Sequence, residues 1–170
     1  DANYSGTATG TLLVLKSPLI IKANDQTKQY PSANPALTLT YTGLLNGEDT
    51  SVLSTQASVY TVADNNSASG TYDIVVSGAE ASNYDIIHVN GTLTVEKNKI
   101  PITLTGTSQT YNGHNLAVEA TPVVADVRVV VTYADSLGAA VSSPTNVGIY
   151  SVTATIDDAN YSGTTTGILT

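Results

Sequence analysis

Few residues in this sequence carry side chains that could do chemistry, and their spacing decides how far each reading goes. The two histidines are His88, in the run YDIIHV, and His114, in the turn NGHN. A serine-type relay can assemble from distant segments, but no G-x-S-x-G nucleophile elbow accompanies either imidazole. No catalytic residue is assigned, and the two rings read as surface imidazoles. Zinc needs clusters of Cys and His, and the chain has no Cys. Calcium takes oxygen ligands from Asp, Asn and carbonyls, which Asp64-Asn65-Asn66 and Asp157-Asp158 could offer. Neither stretch follows the spaced D-x-D-x-D-G arrangement, and Asp and Asn are also ordinary turn residues. Turn chemistry is the preferred reading. No metal-binding or cofactor-binding residue is assigned, and calcium stands as the alternative.

Tyrosine replaces the other large side chains: there are ten Tyr and no Phe, Trp or Met. Tyrosine rings can stack on sugar faces, and Tyr4, Tyr84 and Tyr161 each follow Asn near a turn. Their recurrence at one place in a repeated phrase favours a structural corner over a sugar platform. The Thr rows at Thr38, Thr40 and Thr42 and at Thr164-Thr165-Thr166 read as ordinary strand surface. An amide cross-link from Lys to Asn or Asp would need a buried Lys beside an acid. The five lysines (Lys16, Lys22, Lys28, Lys97 and Lys99) lie mostly at segment joints.

The elements that position these residues repeat along the chain. DANYSGTATG opens the sequence, and DANYSGTTTG returns from Asp158. A looser copy holds Asn83-Tyr84 and Gly91-Thr92-Leu93, and G-x-Y marks precede two of the copies, at Gly70-Thr71-Tyr72 and Gly148-Ile149-Tyr150. The spacing defines units of about 78 residues, a size that suits a small β domain. Residues 18–97 form one unit and 101–170 the next, while residues 1–15 read as the C-terminal strands of a preceding repeat. Each joint is short: a strand ends, Lys and polar residues follow, and Pro18 or Pro101 launches the next strand.

Within the units, period-two alternation marks half-buried strands. Leu37, Leu39 and Tyr41 alternate with threonines, as do Tyr72, Ile74 and Val76 with Asp73, Val75 and Ser77. Val127, Val129, Val131 and Tyr133 form a third set. Tyr150, Val152, Ala154 and Ile156 form the cleanest, with Tyr150 expected in the core. Asn46-Gly47, Asn90-Gly91 and Asn112-Gly113 are turn dipeptides. The one helical candidate is GEDTSVL, Gly47 to Leu53. G-x-Y entering an alternating strand suits the tyrosine corner of immunoglobulin-like sandwiches.

The chain has 170 residues, 41% hydrophobic and 12% charged, with a net charge of −8. That composition supports a packed core. The scattered bases argue against nucleic acid, and the acidic balance argues against an anionic membrane surface. No apolar run approaches the ~18 residues of a membrane span, so no membrane insertion is expected. No basic-then-apolar leader precedes the strands, and the missing initiator Met suggests a piece of something longer.

These residues resemble a known family. KQYPSANPALTLTYTGLLNGEDTSVL, SGTYDIVVSG and SNYDIIHVNGTLTV, within residues 20–97, resemble the MBG-type repeat of bacterial extracellular adhesins in its YGX variant. Tyr30-Pro31 stands where that variant has Y-G. SQTYNG, VVVTYADS and NVGIYSVTATIDDANYSG, within residues 101–170, resemble the companion MBG form. The resemblance implies large secreted or surface-anchored proteins with many repeats, and it brings no catalytic residues.

The expected fold is all-β: two tandem small β-sandwich, immunoglobulin-like modules in an elongated rod. The alternative is β-grasp-like modules with one short helix, Gly47 to Leu53. The expected role is non-enzymatic: stalk or spacer repeats of a bacterial cell-surface adhesin, extending a binding tip. A carbohydrate-binding adhesion module is the alternative. Expected partners are neighbouring repeats of the same chain and host or matrix glycans or proteins. Residues 1–15, as an orphan hairpin, are expected to pair with a sheet edge of another copy or to pack on the first unit. The expected location is extracellular, on a bacterial cell surface or secreted.

Overall fold

Alternating apolar and polar residues favour strands because successive strand side chains point to opposite faces. The computed structural model describes residue 3 and residues 5–170, and among these it holds no α-helix. The first repeat supplies β1 (Ser17–Ala23), β2 (Gln26–Gln29), β3 (Leu39–Thr42), β4 (Leu53–Tyr60), β5 (Gly70–Ala81), β6 (Tyr84–Val89) and β7 (Gly91–Glu96). After it come β8 (Asn98–Lys99), β9 (Ile102–Thr105), β10 (Glu119–Pro122) and β11 (Val129–Ala134). The last four are β12 (Ala140–Val141), β13 (Tyr150–Ile156), β14 (Tyr161–Ser162) and β15 (Thr164–Leu169). The chain divides into two compact units: unit one is Asp1–Asp25, Ala36–Thr61 and Asp73–Thr92, and unit two is Gln26–Pro35, Val62–Tyr72 and Leu93–Thr170.

In unit one, β1 is the central strand of a sheet ordered β3-β1-β6. It runs antiparallel to β3, with Ile21 opposite Tyr41, and parallel to β6, with Ser17 opposite Tyr84. Its pleat sends Leu19, Ile21 and Ala23 fully inward, while Lys22 faces out. Strands β4 and β5 pair antiparallel, with a register shift between Leu53 and Thr55. From this pair Leu53, Ile74, Val76 and Ala81 are buried. The junction between β6 and β7 departs from the turn expected at Asn90-Gly91. Neither residue has a positive φ there. Gly91 is needed instead for close approach, since a Cβ would stand 2.6 Å from the Ala23 carbonyl oxygen. Asn46-Gly47 does turn as expected, with φ of 52° and 75°.

In unit two, β11, β12, β13 and β15 form a sheet ordered β12-β11-β13-β15, all antiparallel. Strands β9 and β10 form an antiparallel pair, β8 runs parallel to β14, and β2 runs parallel to β7. Two apolar clusters fill the space between these layers. Ile100, Ile102, Ala154 and Ile156 make one, and Leu116, Val118, Val152 and Leu169 make the other. Leu104 and Val131 pack against both clusters and so join them. Two sheets contributing inward faces to one core is the β-sandwich arrangement. The chain is thus all-β, built of tandem sandwich modules.

Several expectations need correction. The GEDTSVL segment gives only a single 3-10 turn, Thr50–Val52, capped by the Asp49 carboxylate accepting from the Ser51 N–H at 2.8 Å. A longer helix has no apolar face to bury here, so the β-grasp alternative lapses. Residues 5–16 form no strand, because two strands alone are marginal in water; residues 1, 2 and 4 lie outside the described residues. The Leu37 and Val127 strands begin two residues later, at Leu39 and Val129. Tyr150 is half-buried rather than buried, so its core role is smaller than its alternation implies. Leu169, fully enclosed, is the stronger test. Leu169→Ala should destabilise the protein by about 2–5 kcal/mol, read as a lowered urea midpoint, whereas an unchanged midpoint would mean that the packing at β15 is misassigned.

Candidate functional site

The residues with chemical potential gather at the corners of the sandwich rather than in a cleft. At the entry to β5 the Tyr72 hydroxyl donates to the Ala68 carbonyl at 2.9 Å. At the entry to β13 the Tyr150 hydroxyl donates to the Asn146 carbonyl, also at 2.9 Å and also four residues back. Both are tyrosine corners: the ring lies on the sheet and the hydroxyl satisfies a loop carbonyl. The glycines of the two G-x-Y marks are less alike. Gly70 adopts φ +151° with open space around it, while Gly148 stands against the Tyr150 ring.

The Asn-Tyr turns form the second recurring corner. Ser17 N–H donates to the Asn83 carbonyl and Asn98 N–H to the Asn160 carbonyl, each at 2.9 Å. Each bond starts a parallel ladder to the strand after the Asn-Tyr turn, from β1 in unit one and from β8, in the joint before Pro101, in unit two. The tyrosines themselves serve different neighbours. Tyr84 is 5% exposed; its hydroxyl accepts from the Leu45 N–H at 3.0 Å and donates to the Glu48 carboxylate. That carboxylate, accepting the phenolic proton, raises the Tyr84 pKa above its ordinary value. Tyr161 is half-buried, edge-on to Tyr30 with centroids 5.5 Å apart. Neither ring is laid open as a sugar platform, and Tyr4 lies outside the described residues.

The acidic stretches are engaged as turns. The Asp64 carboxylate accepts from the Asn66 N–H at 2.9 Å and the Ser67 hydroxyl at 3.0 Å. The Asp158 carboxylate accepts from the Asn160 and Tyr161 N–H groups at 2.7 and 3.0 Å. Asp157 pairs with Arg128 at 3.0 Å, an exposed pair of small energetic weight. Among the described residues, no three acidic or imidazole side chains converge as a metal site. His88 is exposed on β6 in unit one, and His114 is exposed in a turn of unit two.

Sequence reasoning missed Lys28. It is 6% exposed, at an inward position of β2. Its ammonium donates to the carbonyls of Ser32, at 3.0 Å, and Asp64. Beside it the Asn34 amide donates to the Ala63 carbonyl at 2.6 Å. A buried ammonium is tolerable only when hydrogen-bonded, and here it fastens two loops of unit two. The available signal was the strand period, which puts Lys28 on the same face as Gln26 and inward.

In unit one, an open depression of about 470 Å³ lies beside Lys16, Ser54, Glu80, Tyr84 and Asp85. The Lys16 ammonium there already donates to the Ala81 carbonyl at 3.0 Å.

Two families match in tandem. Residues 19–94 match the MBG domain of YGX type, and residues 101–170 match the MBG domain. The chain is a tandem pair of MBG domains. No curated protein matches. Among solved structures, "Crystal structure of Drosophila N-cadherin EC1-3, I" is similar at 11% identity with a TM-score of 0.28. That match covers 89% of this chain and 65% of the cadherin chain, so this chain spans under two thirds of it. MBG domains are in general non-catalytic structural modules and occur in surface proteins. No helix among the described residues is long and apolar enough to cross a membrane.

Two outcomes follow for the MBG corners. Tyr72→Phe and Tyr150→Phe each remove one hydroxyl bond and should each lower stability by about 1 kcal/mol, measured by urea unfolding. Equal, small losses at both sites fit equivalent corners, and no loss at either would refute them. The second concerns acid. The Ser67 hydroxyl, then the Asn66 N–H, hold the Asp64 carboxyl below its ordinary value of 3.8. The stability this contributes is present above the unfolded value and is lost as pH falls through the lowered folded value. Asp64→Asn should therefore flatten the acid limb of stability against pH, and an acid limb identical to wild type would count against the turn.

Proposed function

We propose that these MBG domains, residues 18–97 and 101–170, are stalk repeats of a bacterial cell-surface adhesin, extending a binding tip from the cell. The supporting observation is how the polar side chains are used. The hydroxyls of Tyr72, Tyr84 and Tyr150, the Asp64 and Asp158 carboxylates and the Lys28 ammonium all hold this chain's own corners and loops. A module that turns its chemistry inward is suited to bearing load and spacing. The neighbouring repeats of the same chain are its working partners, and calcium has no part in the proposal, because the Asp64 and Asp158 carboxylates accept from turn N–H groups and Asp157 pairs with Arg128.

A carbohydrate-binding role would need an exposed tyrosine face with convergent polar groups, and neither Tyr84 nor Tyr161 offers one. The test is a glycan array with this chain, paired with thermal melts in calcium and in chelator. Silence on the array and coincident melts are expected. A saturable glycan signal lost on Tyr161→Ala would move the function to binding, and a melt raised by calcium would put the ion into the stalk.

A further inference from the structure

The division into compact units does not fall where one repeat ends and the next begins. Gln26–Pro35 and Val62–Tyr72 lie inside the YGX-type match, residues 19–94, yet both belong to unit two. One turn of the second repeat holds them there. Each residue of Asp158-Ala159-Asn160-Tyr161 has a partner outside the turn. The Lys97 ammonium donates to the Asp158 carbonyl at 2.7 Å, and the Ser69 hydroxyl donates to the Ala159 carbonyl at 2.8 Å. The Asn160 side-chain oxygen accepts from the Ser69 N–H at 2.9 Å, and the Tyr161 ring meets Tyr30 at 88° between planes. Tyr30 and Ser69 stand on the two segments that the first repeat lends to unit two. Lys28 and Asn34 fasten those segments to each other, through the Asp64 and Ala63 carbonyls.

The turn of the first repeat, Ala81-Ser82-Asn83-Tyr84, has the same frame but different contents. Lys16 donates to the Ala81 carbonyl at 3.0 Å and the Ser17 N–H to the Asn83 carbonyl at 2.9 Å, as Lys97 and Asn98 do in unit two. Asp158 stands where the first repeat has Ala81. Its carboxylate accepts from the Asn160 and Tyr161 N–H groups, which fixes the backbone from which the Asn160 amide reaches Ser69. The facing residue also differs between repeats: Ser69 precedes Gly70, and Val147 precedes Gly148. A valine has no hydroxyl to give to a turn carbonyl.

We propose that the turn at 158–161 is a recognition element by which an MBG module selects a YGX-type module as the one before it. The surface it selects is the serine N–H and hydroxyl of Ser69 beside the ring of Tyr30. One serine satisfies two acceptors of the turn at once, and a residue without a hydroxyl leaves the Ala159 carbonyl without that donor. The edge-on tyrosine pair adds apolar contact next to these bonds. Asp158 acts as a positioning residue, through Asn160. This goes beyond the stalk reading and does not depend on it.

Amide hydrogen exchange on the full chain, followed by NMR, provides the test. Asp158→Ala with Ala159→Ser writes the turn of the first repeat into the second. The Ser69 amide should then exchange at least about tenfold faster, while the β1 amides in unit one keep their wild-type rates. Ser69→Val writes in the residue of the other repeat. It should speed exchange of the Asn98 amide, whose acceptor is the Asn160 carbonyl, by a similar factor. Unchanged exchange at Ser69 in the first variant overturns the proposal even if the Asn160 and Tyr161 amides quicken, because Asp158 then shapes its own turn and nothing further. An Asn98 amide indifferent to Ser69→Val overturns it as well. Should the exchanged turn unfold unit two, Ser69→Val alone decides.

Discussion

The parallel ladder that closes each repeat is the constraint on which the rest rests. The strand that leads into a repeat bonds to the strand that follows its Asn-Tyr turn, through Ser17 to Asn83 in one case and Asn98 to Asn160 in the other. These bonds join residues more than sixty positions apart in sequence. Closing so long a loop costs conformational entropy before any contact repays it. The hydrophobic alternation of β1, β5 and β13 supplies that return, because each strand buries one face once the ends are joined.

Given that closure, the corners follow. A sandwich of short strands leaves loop carbonyls and N–H groups near the core, where an unpaired polar group is costly. With no Phe, Trp or Met, the chain meets both needs through tyrosine, whose ring fills the core margin and whose hydroxyl finds a backbone partner. Asp64 and Asp158 do the same for turn N–H groups, and Lys28 for two carbonyls. The side chains that first look like candidate chemistry are the fasteners of the modules.

Much of this could be read before folding was considered. The Tyr150-Val152-Ala154-Ile156 run marks β13 from its first residue to its last, and the run YDIIHV forms β6. The tyrosine corners follow from G-x-Y before an alternating strand, a local pattern with one good geometric solution. The GEDTSVL segment misled because its acidic residues suit a helix start, yet without an apolar stripe it closes only one turn. Asn90-Gly91 misled because its glycine answers to the distant Ala23 carbonyl rather than to a turn.

Periodicity, repeats and turn residues act over a few neighbours, and they settle the all-β class, the strand positions and the kinship with MBG domains. Burial depends on what the chain brings alongside, which no local pattern records. Lys28 sits inward because two loop carbonyls meet it there. Tyr150 stays half-exposed at the end of β13, and Tyr84 gains Glu48 from a loop far away in sequence. Residues 164–169 form β15 while their near copy at residues 7–12 forms no strand, because a strand needs an edge to bond to and sequence alone does not say where that edge lies.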